Sequence, residues 1–351
     1  MSIYLLDTEF RRTKLIDEYI SMIWTDRYAE AGDFELYVTA TIENVSIFKT
    51  GMYLSNTLSE HLMIVETIEI KSDIEDGAKL IVSGRSLESI LSRRIVWNQT
   101  VFKNKNIQDI IFGLLKDSII SPKNTSRKID NFIFDRLENT QVNTIRLDKQ
   151  YTGDNIYTAI HELCDQYGLG FKLIRVNNQF RFGLYMGKNH THGMDSFVTF
   201  SPRLDNLISS NVIMSIRDNV NIACVAGEGE GASRKIISAG TETSGIERME
   251  LFVDARSVSS NTENDTVISP EQYKSMLLQK GMEELNVHQS KTTIESEVDY
   301  NGIFKYKKDF DVGDIVNVSN EFGYSGKLRI IEIVTSDSVD GKTIVPTFKV
   351  I

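Results

Sequence analysis

Apolar and polar residues alternate through the C-terminal stretch Asp309–Ile351. A period of two sends successive side chains to opposite faces of a strand. Asp314–Ser319, Leu328–Thr335 and Thr343–Val350 therefore read as three strands, with Asp340-Gly341 as a hairpin turn between the last two. The same order of parts occurs in Gly51–Gly84. Gly51 opens a short strand ending in Ser55-Asn56, as Gly313 opens one ending in Ser319-Asn320. An Ile- and Val-rich strand with an embedded Glu66 follows, matching the strand that carries Glu332, and Asp76-Gly77 takes the place of Asp340-Gly341. Either two antiparallel meanders share generic features, or the chain duplicates a small β module. Duplication carries a geometric expectation: Gly51 matches Gly313, and Glu66 matches Glu332 or a close neighbour.

The rest of the chain alternates less uniformly. Ile3–Leu6, Lys14–Thr25 and Asp33–Ala40 read as strands, the last two joined by a turn through Gly32, and Ser86–Leu91 as a closing helical turn. From about Arg93 the period lengthens to that of a helix. Asn106 is placed to cap Ile107–Leu115, and Asp154 to cap a helix carrying Ile156, Ile160, Leu163 and Cys164 that Gly168 stops. Phe171–Val176 and Gln179–Tyr185 flank the hairpin turn Asn177-Asn178. Further strands fall at Leu207–Ile216, Val220–Ala226, Arg234–Ser238, Met249–Val253 and Thr292–Val298. Ser269-Pro270-Glu271-Gln272 opens a helix reaching about Val287: Ser as cap, Pro at the first position, Gln three residues after the cap.

These elements define a mainly β chain with an α+β insertion and two antiparallel β modules. The expected boundaries are 1–92 for the first module, 93–202 for the insertion and 203–351 for the second, with a helical subdomain at about 240–291. A length of 351 residues supports two or three cores. The net charge of −10 argues against a dedicated nucleic-acid or anionic-membrane binder, both of which need basic patches. Cys164 and Cys224 lie among apolar neighbours and read as buried free thiols, not as a disulfide framework. The N-terminal residues carry no signal-peptide pattern, and no apolar run is long enough to span a bilayer, so no direct membrane insertion is expected.

Candidate chemistry is sparse. Gly227, Gly229 and Gly231 alternate with glutamates after an apolar strand, but the spacing is not that of a dinucleotide loop and no helix follows. A structural turn whose glycines supply positive φ is the better reading. His190 and His192 have metal-capable spacing, yet no Cys or paired carboxylate accompanies them nearby, so an exposed loop pair is expected. Asp309, Asp311 and Asp314 sit at turns and strand starts, where Asp is common. No catalytic, cofactor or metal motif is present, and neither enzymatic activity nor a cofactor is expected.

Several stretches resemble a family of tailed-bacteriophage virion proteins. They are Trp24–Leu36, Asn221–Arg234 with its Gly227-Glu228-Gly229-Glu230 run, Ser244–Glu250, Val253–Arg256, and Tyr306–Val316 followed by Arg329–Glu332. This group is the siphovirus-type tail structural proteins, related to the baseplate hubs of contractile tails. The resemblance implies two tail-tube-like β-barrels per chain and a homotrimer that adapts a six-fold tail tube to a three-fold tip. It implies partners: the tail tube or distal tail ring, and a tip spike or tape-measure protein. DNA would pass through without sequence-specific binding, along a conduit whose acidic character keeps phosphates sliding, and the protein would reside in the virion. Because the sequence stops after the last strand, lytic activity is expected of a partner. The structural residues singled out are Gly32, Gly51, Glu66, Gly227, Gly229, Gly231, Gly313, Asp314 and Glu332, with Arg248 and Glu250 as packing or intersubunit ion-pair candidates. The second reading is a tail-associated cell-wall hydrolase or carbohydrate-binding adhesin, and a soluble binding module is a third.

Overall fold

The structure is a computed structural model that describes residues 2–73, 77–261, 267–288, 291–299 and 301–351. Asp76, half of one expected turn, lies outside the described residues. The chain opens with strands β1 (Ile3–Leu6), β2 (Arg12–Ile16), β3 (Ser21–Arg27) and β4 (Asp33–Thr39), then helix α1 (Ile42–Ile47). β5 (Tyr53–Asn56), β6 (Leu62–Ile64), β7 (Thr67–Asp73) and β8 (Gly77–Arg85) complete the first meander. β9 (Thr100–Asn106), α2 (Ile107–Leu115), β10 (Phe132–Asp135), α3 (Thr140–Thr144), β11 (Arg146–Tyr151) and α4 (Ile156–Gln166) follow, then the hairpin β12 (Gly170–Val176) and β13 (Gln179–Tyr185). The remainder comprises β14 (Thr199–Phe200), β15 (Asn211–Ser215), β16 (Ile222–Ala226), β17 (Ile236–Gly240), β18 (Glu250–Asp254), α5 (Pro270–Val287) and β19 (Lys291–Glu295). The C-terminal meander is β20 (Ile315–Ser319), β21 (Ser325–Ser338) and β22 (Gly341–Val350).

Local signals account for most of these ends. Asn106 accepts from Gln108 N, and Ser269 accepts from Gln272 N with Pro270 behind it. Asn177 and Asn178 both take positive φ in their two-residue turn. Other expectations change. The stretch from Lys14 to Thr25 is two strands, broken by the polar Asp17-Glu18. The cap of α4 is Asn155, which accepts from Tyr157 N and Thr158 N, while Asp154 accepts from Thr152 N.

Contacts divide the chain into two compact units, Met1–Ile90 with Leu169–Ile213 and Thr292–Ile351, and Leu91–Gly168 with Met214–Lys291. This grouping cuts across the three consecutive segments expected. In the first unit one sheet runs β15-β19-β22-β21-β3-β4-β8-β7, with β20 also paired to β21 and β14 to β20. A second sheet, β2-β1-β5-β6, shares a core with β3, β4 and β8 built on Ile3, Leu5, Trp24, Leu36, Leu54, Met63 and Val82. The other end has its own core of Phe200, Ile294, Phe310, Val316, Ile330 and Phe348. The chain is mainly β as expected, but no sheet closes into a barrel among the described residues.

In the second unit α2 packs on α4 through their apolar faces, and β9 pairs with β11. The sheet β17-β16-β18 is covered by α5, whose Tyr273, Met276, Leu277 and Leu285 pack against Ala223, Val225 and Ala239. Cys164 is buried, whereas Cys224 is exposed. Ala223 and Val225 take the α5-facing side of β16, which sends Cys224 outward between buried neighbours.

Candidate assembly site

The main sheet contains the same strand arrangement twice. β3-β4-β8-β7 and β15-β19-β22-β21 occupy successive halves of it, and β5 and β20 pair with the strands leading into the respective turns. The hydrogen bonds fix the correspondence. Gly51 N donates to Val65 O at 2.8 Å and Val65 N returns to Met52 O at 2.8 Å. Gly313 N donates to Ile330 O at 2.7 Å and Ile330 N returns to Asp314 O at 2.9 Å. Gly51 therefore occupies the place of Gly313, and both take positive φ, +87° and +95°. Registers agree across the neighbouring strands: Thr67 faces Ser83, which faces Glu35, just as Glu332 faces Thr347, which faces Glu295. By this register Thr67 stands where Glu332 stands, so Glu66 lies one residue away from the expected match.

The two halves join where β21 pairs antiparallel with β3, from Glu332 opposite Arg27 to Ser338 opposite Ser21. The Arg27 guanidinium closes this seam. Its Nε donates to Glu332 Oε2 at 2.6 Å and its Nη1 donates to Asp33 Oδ2 and to Ala31 O at 3.0 Å. Glu66 makes a different contact, a two-pronged pair with Arg85 at 2.8 and 2.9 Å.

Beside the seam the backbone approaches a buried tyrosine closely. The Tyr28 ring lies edge-on to Tyr185, with centroids 5.2 Å apart, and Arg329 sits over it at 5.0 Å. Arg329 Nη1 also donates to Gly313 O at 2.8 Å and to the Tyr28 hydroxyl at 3.2 Å. A Cβ on Gly313 would come within 2.4 Å of the Tyr28 ring. Gly313 is thus required twice, by its φ and by the ring. Gly32 is required by proximity alone, since a Cβ there would meet Thr25 O at 2.1 Å.

A buried charged network braces β3 from the core side. Asp26 accepts from Trp24 Nε1 at 3.2 Å, Ser59 Oγ at 2.8 Å and the Tyr306 hydroxyl at 2.6 Å, with Lys307 Nζ 3.7 Å away. His61 Nδ1 lies 2.8 Å from Glu88 Oε1, which also accepts from Leu173 N at 2.8 Å. Burial disfavours the His61 imidazolium, but Glu88 and then Asp26 outweigh it and raise its pKa to about 9. Burial likewise pushes the Asp26 and Glu88 carboxyls upward, and their partners, His61 first, bring both below the ordinary value. Sequence reading missed this network. Only Trp24, Asp26, Tyr306 and Lys307 fell within stretches carrying the family resemblance, and nothing local joins them to His61 or Glu88.

Other singled-out residues are fasteners within the chain. Asp314 is buried and accepts from Lys188 N at 2.6 Å and Asp311 N at 2.8 Å. His190, expected on an exposed loop, is buried: its Nε2 lies 3.3 Å from Asp314 Oδ2 and its Nδ1 2.9 Å from Ser196 Oγ. Only His192 is exposed. Although serine, histidine and aspartate fall in line here, both Asp314 oxygens already accept backbone amides. The contacts fasten the loop after β13 to the start of β20. In the second unit Gly229 and Gly231 take positive φ, whereas Gly227 does not. Gly227 is needed for space, because a Cβ would meet the Tyr273 hydroxyl at 2.4 Å. Arg248 pairs with Glu250 at 2.5 Å and Glu242 at 2.8 Å within the chain.

The strand order ends at β7 on one side and β15 on the other, with no further strand beyond either among the described residues. Both ends carry exposed β-branched residues, Ile70 at 54% and Ile213 at 43% exposure. Unpaired edges with apolar side chains are templates for strand pairing with another chain.

This architecture is the one found in solved phage tail proteins. A tail protein from Neisseria meningitidis MC58 superposes with a TM-score of 0.58 at 12% identity, covering 99% of this chain and 96% of that one. The 43 kDa tail protein of prophage MuSo2 from Shewanella oneidensis gives 0.57 at 15% identity, covering 99% and 98%. Prophage tail protein gp18 from Listeria monocytogenes EGD-e gives 0.52 at 12% identity, covering 99% and 94%. These identities establish a shared fold. No curated protein matches the sequence. The family model of the Siphovirus ReqiPepy6 Gp37-like proteins matches residues 2–348, and the chain belongs to that family.

Proposed function

We propose that the chain is a structural hub of a phage tail tip, assembling as a closed ring through the open edges of its main sheet. The observation that carries this reading is the repeated strand order within one continuous sheet. Inside the chain, β21 of one half meets β3 of the other. The terminal β7 corresponds to β21 and the terminal β15 stands in the position of β3, so β7 of one copy can meet β15 of the next by the same antiparallel geometry. Such a contact is heterologous and closes into a ring when the rotation suits. Three copies, the number the tail-hub resemblance implies, bring six similar modules around one axis. Six modules match a six-fold tail tube on one face while the chain count keeps three-fold symmetry on the other. The tube, a tip spike or a tape-measure protein would be the neighbours, and the excess of acidic residues suits a DNA conduit.

The test is the mass of the purified protein by light scattering, with Ile70→Lys and Ile213→Lys variants beside it. A trimer that either edge lysine converts to a folded monomer supports the ring. A monomer at all concentrations, with activity on purified cell wall, would overturn it in favour of a wall-acting enzyme.

A further inference from the structure

The second unit contains a pocket of about 680 Å³ that the assembly reading leaves without a role. Its walls are the 93–100 segment, the end of α2 with the π-helical turn Lys116–Ile120 that continues it, and the 121–127 loop. Its volume falls in the roughly 300–1,000 Å³ range of small-ligand sites, and π-turns inside helices recur at functional positions. Four cationic side chains line it, Arg93, Arg94, Lys123 and Arg127, against the single carboxylate of Asp117. This inverts the sign of a chain whose net charge is −10. None of the four is in an ion pair among the described residues.

Two of the arginines are held in place. Arg127 Nη2 donates to Ile95 O at 2.7 Å, and Arg94 Nε donates to Arg127 O at 3.2 Å. Trp97 stands at the pocket with 70% of its surface exposed, and the Arg127 guanidinium lies 5.6 Å from its ring centroid. An indole left this open has a flat apolar face ready for the C–H face of a sugar ring, and Ser121, Asn124 and Ser126 supply hydroxyl and amide partners. A single-stranded nucleic acid would call for a basic groove with successive stacking aromatics, whereas this pocket has one aromatic ring and definite walls.

We propose that this pocket binds an anionic saccharide, a sugar unit bearing a phosphate or a carboxylate, with Trp97 stacking on the ring and the four cations holding the charge. The inference stands independently of the ring assembly.

The chain's two tryptophans make the test direct: Trp24 is buried at 1% exposure, so ligand-dependent fluorescence reports Trp97. The probes are a phosphomannan, a uronic-acid oligosaccharide, free glucose 6-phosphate, neutral dextran and a single-stranded oligonucleotide, each titrated at low and high salt with calorimetry in parallel. Expected are binding of an anionic saccharide but not of dextran, and weakening with salt. Arg93→Gln and Lys123→Gln, both exposed, should each cost about two- to fivefold in affinity, and Trp97→Ala about tenfold, with circular dichroism unchanged. If free glucose 6-phosphate binds as well as the polymers, one charged sugar suffices; if only the polymers bind, the site spans several units. Both results uphold the proposal. Equal binding of dextran, no binding of any anionic saccharide, tighter binding of the oligonucleotide, or full affinity in all three variants would overturn it.

Discussion

Alanine placed at Gly51 and, separately, at Gly313 isolates the close approach of the backbone to Tyr28. The two glycines hold equivalent places in the repeated meander and share nearly the same φ, +87° and +95°. An L side chain in this region costs about 1–2 kcal/mol at either site. Nothing lies within 4 Å of a Cβ built on Gly51, so the backbone cost is the whole cost there. At Gly313 the new methyl would sit 2.4 Å from Tyr28 Cε2 and 2.6 Å from its Cδ2. The ring cannot easily withdraw, being packed edge-on against Tyr185 and hydrogen-bonded by Arg329. Overpacking of this kind adds about 1–3 kcal/mol, giving about 2–5 kcal/mol for Gly313→Ala against about 1–2 kcal/mol for Gly51→Ala. Urea denaturation followed by circular dichroism reads both, with an unchanged slope showing that the midpoint shift is a stability change. Equal shifts for the two variants would refute the argument that Tyr28 sets the difference.

Further predictions concern the charged groups and the thiols. His61 has its folded pKa raised to about 9, so its stabilising contribution is fully present below its unfolded value near 6.5 and is lost as pH rises through about 9. The urea midpoint of the native protein should therefore fall between pH 7 and 10, and His61→Gln should be less stable at pH 7 and show a flatter fall; parallel profiles would count against the charged pair. Arg27→Ala removes the partner of both Glu332 and Asp33 at a quarter-exposed site, and about 1–3 kcal/mol of stability should go with it, measured by the same denaturation. A loss smaller than that of Glu332→Ala would contradict the central place given to the arginine. Cys224 should react with a maleimide in the native protein, while Cys164, buried and with its thiol pKa pushed up, reacts only after unfolding, as mass spectrometry would show.

What the sequence discloses and what it hides follow from the range of the interactions involved. The C-terminal meander and its earlier copy were legible because alternation and turn glycines are local signals, and Gly51 and Gly313 occupy equivalent positions in the sheet. The one-residue displacement of Glu66 from Glu332 was not legible, because the two turns differ in length and matching the glutamates sets Val65 against Ile331, whereas the hydrogen bonds set it against Ile330. Asp154 and Asn155 are both competent caps, and only the use of Asp154 by Thr152 N decides between them. Burial of His190 and exposure of Cys224 depend on what packs across from each, which no neighbouring residue specifies. The division into units was hidden for the same reason: β21 finds β3 across nearly the whole length of the chain. The network of Asp26, His61, Glu88 and Tyr306 draws on four separate segments, each unremarkable alone.

The pairing of β7 with β15 is what turns a repeated sheet into a ring, and an electron cryomicroscopy reconstruction of the assembled tail tip tests it most directly. The predicted result is three copies of this chain around the axis, with β7 of each hydrogen-bonded antiparallel to β15 of the next. A tip in which these two edges face solvent or unrelated proteins, or from which the chain is absent, would contradict the account.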